Sequence, residues 1–212
     1  MNNLLFITFE ILVIVVFPLL ILYLKGGWRL RSTIPGLVII PVLWYFIYSP
    51  LHELSHAAGA YLVGGSVTHI KLIPRFWMGE FSGGAEITPA GLVHTWQSMT
   101  MTLSPYFLDV LCLIAGYIFL RRRFMRNPFV VGLTFMILCL RPAFDIVTET
   151  VAFLGGARGD LFCIREITGG FALWSLLAPA IALSVFTIIV VLRRFINNPE
   201  EADQGPDSQA SR

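Results

Sequence analysis

Apolar positions run through this chain in five long blocks, at 4–24, 36–63, 92–120, 128–154 and 171–192, with polar positions gathered between them. Each block is long enough to cross the roughly 30 Å hydrocarbon layer of a bilayer as a helix. The first is broken only by Glu10 and Pro18 and lacks a basic start and a small-residue cleavage site, so it is expected to stay as an anchor. The second is interrupted by Pro41 and Pro50, and Gly64-Gly65 is its expected stop. Between the second and third blocks the pattern changes. Residues 66–89 alternate β-branched and polar side chains around glycines, which predicts two or three short strands. Residues 155–170 are polar and glycine-rich and read as a loop, with Arg158-Gly159-Asp160 as a solvated turn. Residues 197–212 are polar, lack aromatic residues and are expected to be a disordered tail. The pattern predicts an all-α polytopic membrane protein, a single domain over 1–196 with about five transmembrane helices. A small membrane-associated β hairpin or sheet follows the second helix.

Composition agrees. Hydrophobic residues make up 56% of the chain, charged ones 13%, and the mean hydropathy is +0.76. A soluble domain is not this apolar, so the bilayer is the expected solvent. A net charge of +2 gives no reason to expect a nucleic-acid partner. Cys112, Cys139 and Cys163 show no ligand spacing. The loops at 25–35 and 121–127, with Arg193-Arg194, hold nine Lys or Arg, against Lys71, Arg75, Arg158 and Arg165 on the other side. That bias places the amino terminus outside and the tail in the cytoplasm.

One stretch carries chemistry. His52-Glu53-Leu54-Ser55-His56 lies inside the second block and has the form H-E-x-x-H. On a helix, His52 and His56 project from one face and can grip one zinc ion. Glu53 is then placed to take a proton from a water on the metal. Ionisable groups at such depth are costly, which favours a metal site over a polar cluster that only ties helices together.

A catalytic zinc needs a third protein ligand and an open position. The candidates are Asp145, Asp109, Glu149, Asp160, His69 and His94. Depth separates the first two. His52 lies about 24 Å along its helix from Gly36, and Asp145 about 25 Å from Pro128, on helices expected to run parallel. Asp109 lies about 18 Å from Arg121, some 6 Å shallower. Asp145 is therefore preferred, although an ion pair with Arg141 competes for it. Arg141, Asp145 and Glu149 share one helix face, so the stripe is expected to point into the bundle. Arg141, Glu149 or Asp109 would then tune the ligands from behind. A transport reading of this stripe leaves H-E-x-x-H unexplained.

H-E-L-S-H within an apolar helix resembles the site-2 protease family of intramembrane zinc metalloproteases. Gly64-Gly65 followed by strands, then Ala90-Gly91 and a further span, is similar to its compact bacterial members. Pro142-Ala143-Phe144-Asp145-Ile146 stands where the family has a proline-containing motif ending Leu-Asp-Gly, with Phe144 for leucine and Ile146 for glycine. The resemblance covers about residues 36–155. It implies a multi-pass protein of a bacterial inner membrane, with one zinc per chain held by His52, His56 and Asp145. The implied activity is an endopeptidase in which Glu53 activates water to cleave single-span membrane proteins. It also implies a zinc nearer the cytoplasm, opposite to the charge bias. The departures in the second motif leave open a catalytically inactive, protease-like scaffold or partner-binding subunit.

Overall fold

The computed structural model describes residues 8, 12, 30–73, 85–121 and 133–197. Most of the expected first span, the basic residues at 25–29 and 122–127, the middle of the β region at 74–84, the start of the fourth span and the tail from 198 lie outside the described residues. The side chains of 30–41 are likewise outside the description.

The described chain is mostly helical. Helix α1 is Leu30–Leu62, strands β1 and β2 are Ser66–Lys71 and Glu86–Ala90, and helix α2 is Thr95–Arg121. A π-helical turn, Met136–Leu140, leads into α3, Arg141–Leu154. Helices α4, Asp160–Thr168, and α5, Gly170–Asn197, complete the order. Among the described residues, Thr95–Leu120 and Gly170–Val190 are long and apolar enough to cross a membrane.

Helix α1 stops where the sequence places its stop. Gly64 takes φ +81°, a left-handed conformation that glycine adopts without a Cβ clash, and the Gly65 N–H closes back on the Ala60 carbonyl at 2.9 Å. The strands then pair antiparallel, from Ser66 opposite Ala90 to Lys71 opposite Glu86, with an irregularity between Val67 and His69. Helix α2 is tied to this end of α1 by one side chain. Gln97 accepts the N–H groups of Val93 and His94 and donates to the Val63 carbonyl at 2.8 Å. It thereby satisfies orphan donors at the start of α2 and an orphan acceptor at the end of α1.

Further along, α1 and α2 meet at a glycine. A Cβ on Gly59 would fall on the Ser104 hydroxyl and lie 2.9 Å from the Met101 Cα. Only glycine lets the two backbones approach this closely.

Prolines shape the two helices that face α1. Pro142 has no N–H to give the carbonyl four residues back. The chain accommodates it by widening the preceding turn, where the Arg141 N–H bonds to the Met136 carbonyl. Residues 141–146 all become buried. Two cores flank this segment. One stacks Trp44 on Tyr48 at 5.4 Å, with Phe144 edge-on to both at 5.1 and 5.3 Å. The other joins Ala143 and Ile146 to Leu113, Leu173 and Leu177, and to Leu161 and Ile164 of α4.

That last contact corrects the sequence reading of 155–170 as a loop. Helix α4 lies within it. Leu161 and Ile164, three residues apart, bury one face of α4, and Asp160 stands at its first turn rather than in a solvated turn.

Candidate metal centre

His52 and His56 sit one turn apart on α1, as their spacing predicts. Their rings lie 4.8 Å apart and nearly perpendicular. The Nδ1 atom of His56 is 3.0 Å from the Met101 carbonyl, and that of His52 is 2.8 Å from Oδ2 of Asp145. A carbonyl and a carboxylate only accept, so each Nδ1 carries the hydrogen. In the neutral rings both Nε2 atoms therefore present lone pairs, and these face each other at 3.2 Å.

Asp160 completes the group. Its Oδ2 lies 2.8 Å from Nε2 of His56 and 3.3 Å from Nε2 of His52. Burial raises the Asp160 carboxyl, but the hydrogen-bonded imidazoles outweigh burial and hold it below the ordinary carboxylate range. Three electron-pair donors this close need a cation among them, either protons on the imidazoles or a metal ion. No known family model, curated protein or solved structure matches the chain. The donor set must therefore be judged on its own geometry. Zinc with ligands at about 2.0–2.1 Å in a tetrahedron has ligand atoms about 3.3 Å apart. The observed triangle, at 3.2, 3.3 and 2.8 Å, is close to one face of that tetrahedron. Two imidazole nitrogens and one carboxylate oxygen also suit a zinc-type ion. The group could hold a metal ion.

Asp145, expected as the third ligand, has a different place. It approaches His52 from the Nδ1 side, away from the triangle. Its Oδ2 also accepts from Arg141 at 3.1 Å, and its Oδ1 accepts from Tyr48 at 3.2 Å. This is the carboxylate that fixes a ligand histidine's tautomer and ring plane. Asp109 is fully buried, and its Oδ1 accepts from Arg141 at 2.6 Å. Arg141 thus bridges two carboxylates from α2 and α3, behind the histidines rather than among the ligands. The expected inward stripe holds for Arg141 and Asp145, while Glu149 is half-buried. The Glu149 carboxylate packs at the start of α4, where a Cβ on Gly159 would come 3.1 Å from its Oε2. His69 and His94 are exposed and stand outside the group.

Glu53 is half-buried, and its electrostatic neighbours include both histidines and Asp160. Its carboxylate makes no hydrogen bond with the described residues, which leaves it available to a proton. The triangle is most accessible at Asp160, whose side chain is 26% exposed against 13% for His52 and 7% for His56.

Two supports escape a motif search. The first is the Met101 carbonyl. In an α-helix it would accept from residue 105, but that residue is Pro105, inside α2. The missing donor frees this carbonyl for His56. Pro105→Ala is expected to straighten α2 and raise the melting temperature, yet to weaken metal binding by about tenfold, the low end for a supporting partner. Parallel thermal and metal-affinity measurements check the opposed signs; a variant that gains both would rule the explanation out.

The second support is Arg141. Arg141→Leu would leave Asp109 and Asp145 buried with no cation between them. Breaking such a buried network costs about 3–5 kcal/mol. A large drop in melting temperature in detergent is expected, and an unchanged one would mean the network contributes little.

Proposed function

We propose that this chain is a metal-dependent hydrolase of the membrane, and in its narrower form a zinc endopeptidase of the site-2 protease kind. One observation carries the reading. Two Nε2 lone pairs and an ionised carboxylate converge on one point, with both Nδ1 atoms already committed and Glu53 free beside them.

His52, His56 and Asp160 would hold the ion, and zinc bound there would supply Lewis acidity, lowering the pKa of a water to about 7. The chain's own groups do the rest. Met101 and Asp145 hold the imidazole planes, so the ligands need little reorganisation. Glu53 takes the proton from the attacking water and returns it to the amine that leaves. Asp160 supplies the third ligand charge from a separate helix, at the most exposed edge of the group.

The membrane setting is supported by the two apolar helices and by what covers them. Phe107, Leu111, Ile114 and Ile118 of α2 are exposed, as are Phe171, Leu176, Phe186 and Ile189 of α5. Outward apolar surface on this scale suits lipid. Helix α1 has 33 residues, about 50 Å of helix, long enough to be a further span of a multi-pass protein. A substrate inside the same bilayer, such as a single-span membrane protein, then meets the site without leaving lipid. The test is cleavage of a single-span model substrate in detergent or proteoliposomes by wild type and by Glu53→Gln. Cleavage by neither would sink the protease reading, and cleavage by both alike would place the general base elsewhere than Glu53.

A further inference from the structure

The site holds one polar group that nothing above uses. Tyr106 follows Pro105 in α2, and its side chain is more than nine-tenths buried. Its ring stands edge-on to His52, with centroids 6.4 Å apart and planes at 87°. Its hydroxyl is sealed from solvent and has no hydrogen-bond partner among the described residues. The charges acting on it are Glu149, Asp160, Asp145 and Asp109, of which Asp160 belongs to the metal-ligating group and Asp145 supports His52.

A buried hydroxyl without a partner costs free energy, and native proteins rarely leave one so without a role for it, catalysis among them. Packing alone would be met by phenylalanine. The ring does pack, against His52 and within the core of Leu113, Ala143 and Ile146. The oxygen is the part left to explain. Beside the acceptor carboxylates of Asp145 and Asp160, the Tyr106 hydroxyl is a neutral donor without a partner among the described residues.

We propose that Tyr106 is a catalytic residue whose hydroxyl donates a hydrogen bond to the carbonyl oxygen of the bound substrate as that oxygen gains negative charge. This rests on the hydrolase reading. In the hydrolysis, water adds to the carbonyl carbon, its proton passes through Glu53 to the leaving nitrogen, and the C–N bond breaks. Tyr106 keeps its proton throughout and stabilises the oxyanion by donation alone. A preorganised donor in a water-poor site is worth most at that stage, because charge develops there.

The experiment compares wild type with Tyr106→Phe, which keeps the ring against His52 and removes only the oxygen. Both proteins are loaded with cobalt as a spectroscopic replacement for zinc and titrated with acetohydroxamate, read by visible absorption. The hydroxamate carries an oxygen anion into the position assigned to the substrate oxygen. Equal cobalt loading with hydroxamate binding at least about tenfold weaker in the variant is expected. On a cleavable peptide, kcat is expected to fall about 10²–10³-fold with KM nearly unchanged. Equal hydroxamate affinity overturns the assignment. So does a variant that no longer holds cobalt, since the residue would then support the ligands. A wild type that takes no cobalt overturns both this inference and the metal reading beneath it. A wild type that binds cobalt and hydroxamate but cleaves no peptide overturns the peptidase reading alone, and the hydroxamate comparison still decides the role of Tyr106.

Discussion

Asp160→Ala is expected to lose the metal, and Asp145→Asn to keep it at reduced affinity. The asymmetry follows from which histidine nitrogen each carboxylate meets. Asp160 lies against both Nε2 atoms, so removing it takes away one of three donors and leaves two imidazoles to hold a divalent ion. Asp145 meets only Nδ1 of His52. Asparagine there still offers an oxygen acceptor to that N–H, so the tautomer survives and only the charge is lost. Changes of this supporting kind cost about 10–100-fold in affinity. Asp160→Ala should exceed that range. The measurement is competitive titration of each purified variant against a chelator of known affinity. The reverse order would restore Asp145 as the ligand and remove Asp160 from the centre.

Glu53→Gln is expected to abolish measurable turnover while leaving metal content intact. Glutamine has nearly the same shape and cannot take up the water's proton. General-base removal costs about 10²–10⁴ in rate. Glu53 contacts neither imidazole through a hydrogen bond, so the ligands should not notice the change. Single-turnover cleavage with a metal assay on the same sample reads both halves. Turnover that persists near wild type would assign the base elsewhere. Loss of the metal would make Glu53 part of the ligand set.

The half of the site that could be read from the sequence lies within one helix. His52, Glu53 and His56 lie within five consecutive positions, and the geometry of α1 alone fixes how they stand. Similar depth along two helices also put Asp145 within reach of His52, and the two side chains meet at 2.8 Å. The nitrogen that Asp145 meets is set by something else. Depth along a span says nothing about the rotation that brings a carboxylate to Nδ1 or to Nε2.

Asp160 was among the candidates but was read as part of a turn. The glycines around it, Gly155-Gly156 and Gly169-Gly170, punctuate the chain so strongly that the twelve residues between them, nine of them in α4, passed for a loop. A signal was present. Acidic Asp160, followed by Leu161 and Ile164 at helical spacing, is how a short amphipathic helix begins. What the sequence withheld is where that helix docks. Leu161 and Ile164 fill the core beside Ala143 and Ile146, and this lowers Asp160 onto the histidines. Such a contact joins residues far apart in the chain and leaves no local pattern. The same holds for the Met101 carbonyl: Pro105 marks a missing donor, but not which side chain uses the acceptor so freed.

The most direct test of the account is X-ray absorption at the zinc edge on the purified, zinc-loaded protein, together with its metal content. Close to one zinc per chain is expected, with two imidazole nitrogens and oxygen donors at about 2.0–2.2 Å. A spectrum with sulfur at about 2.3 Å, with no imidazole scattering, or a protein that retains no zinc against a mild chelator, would contradict it.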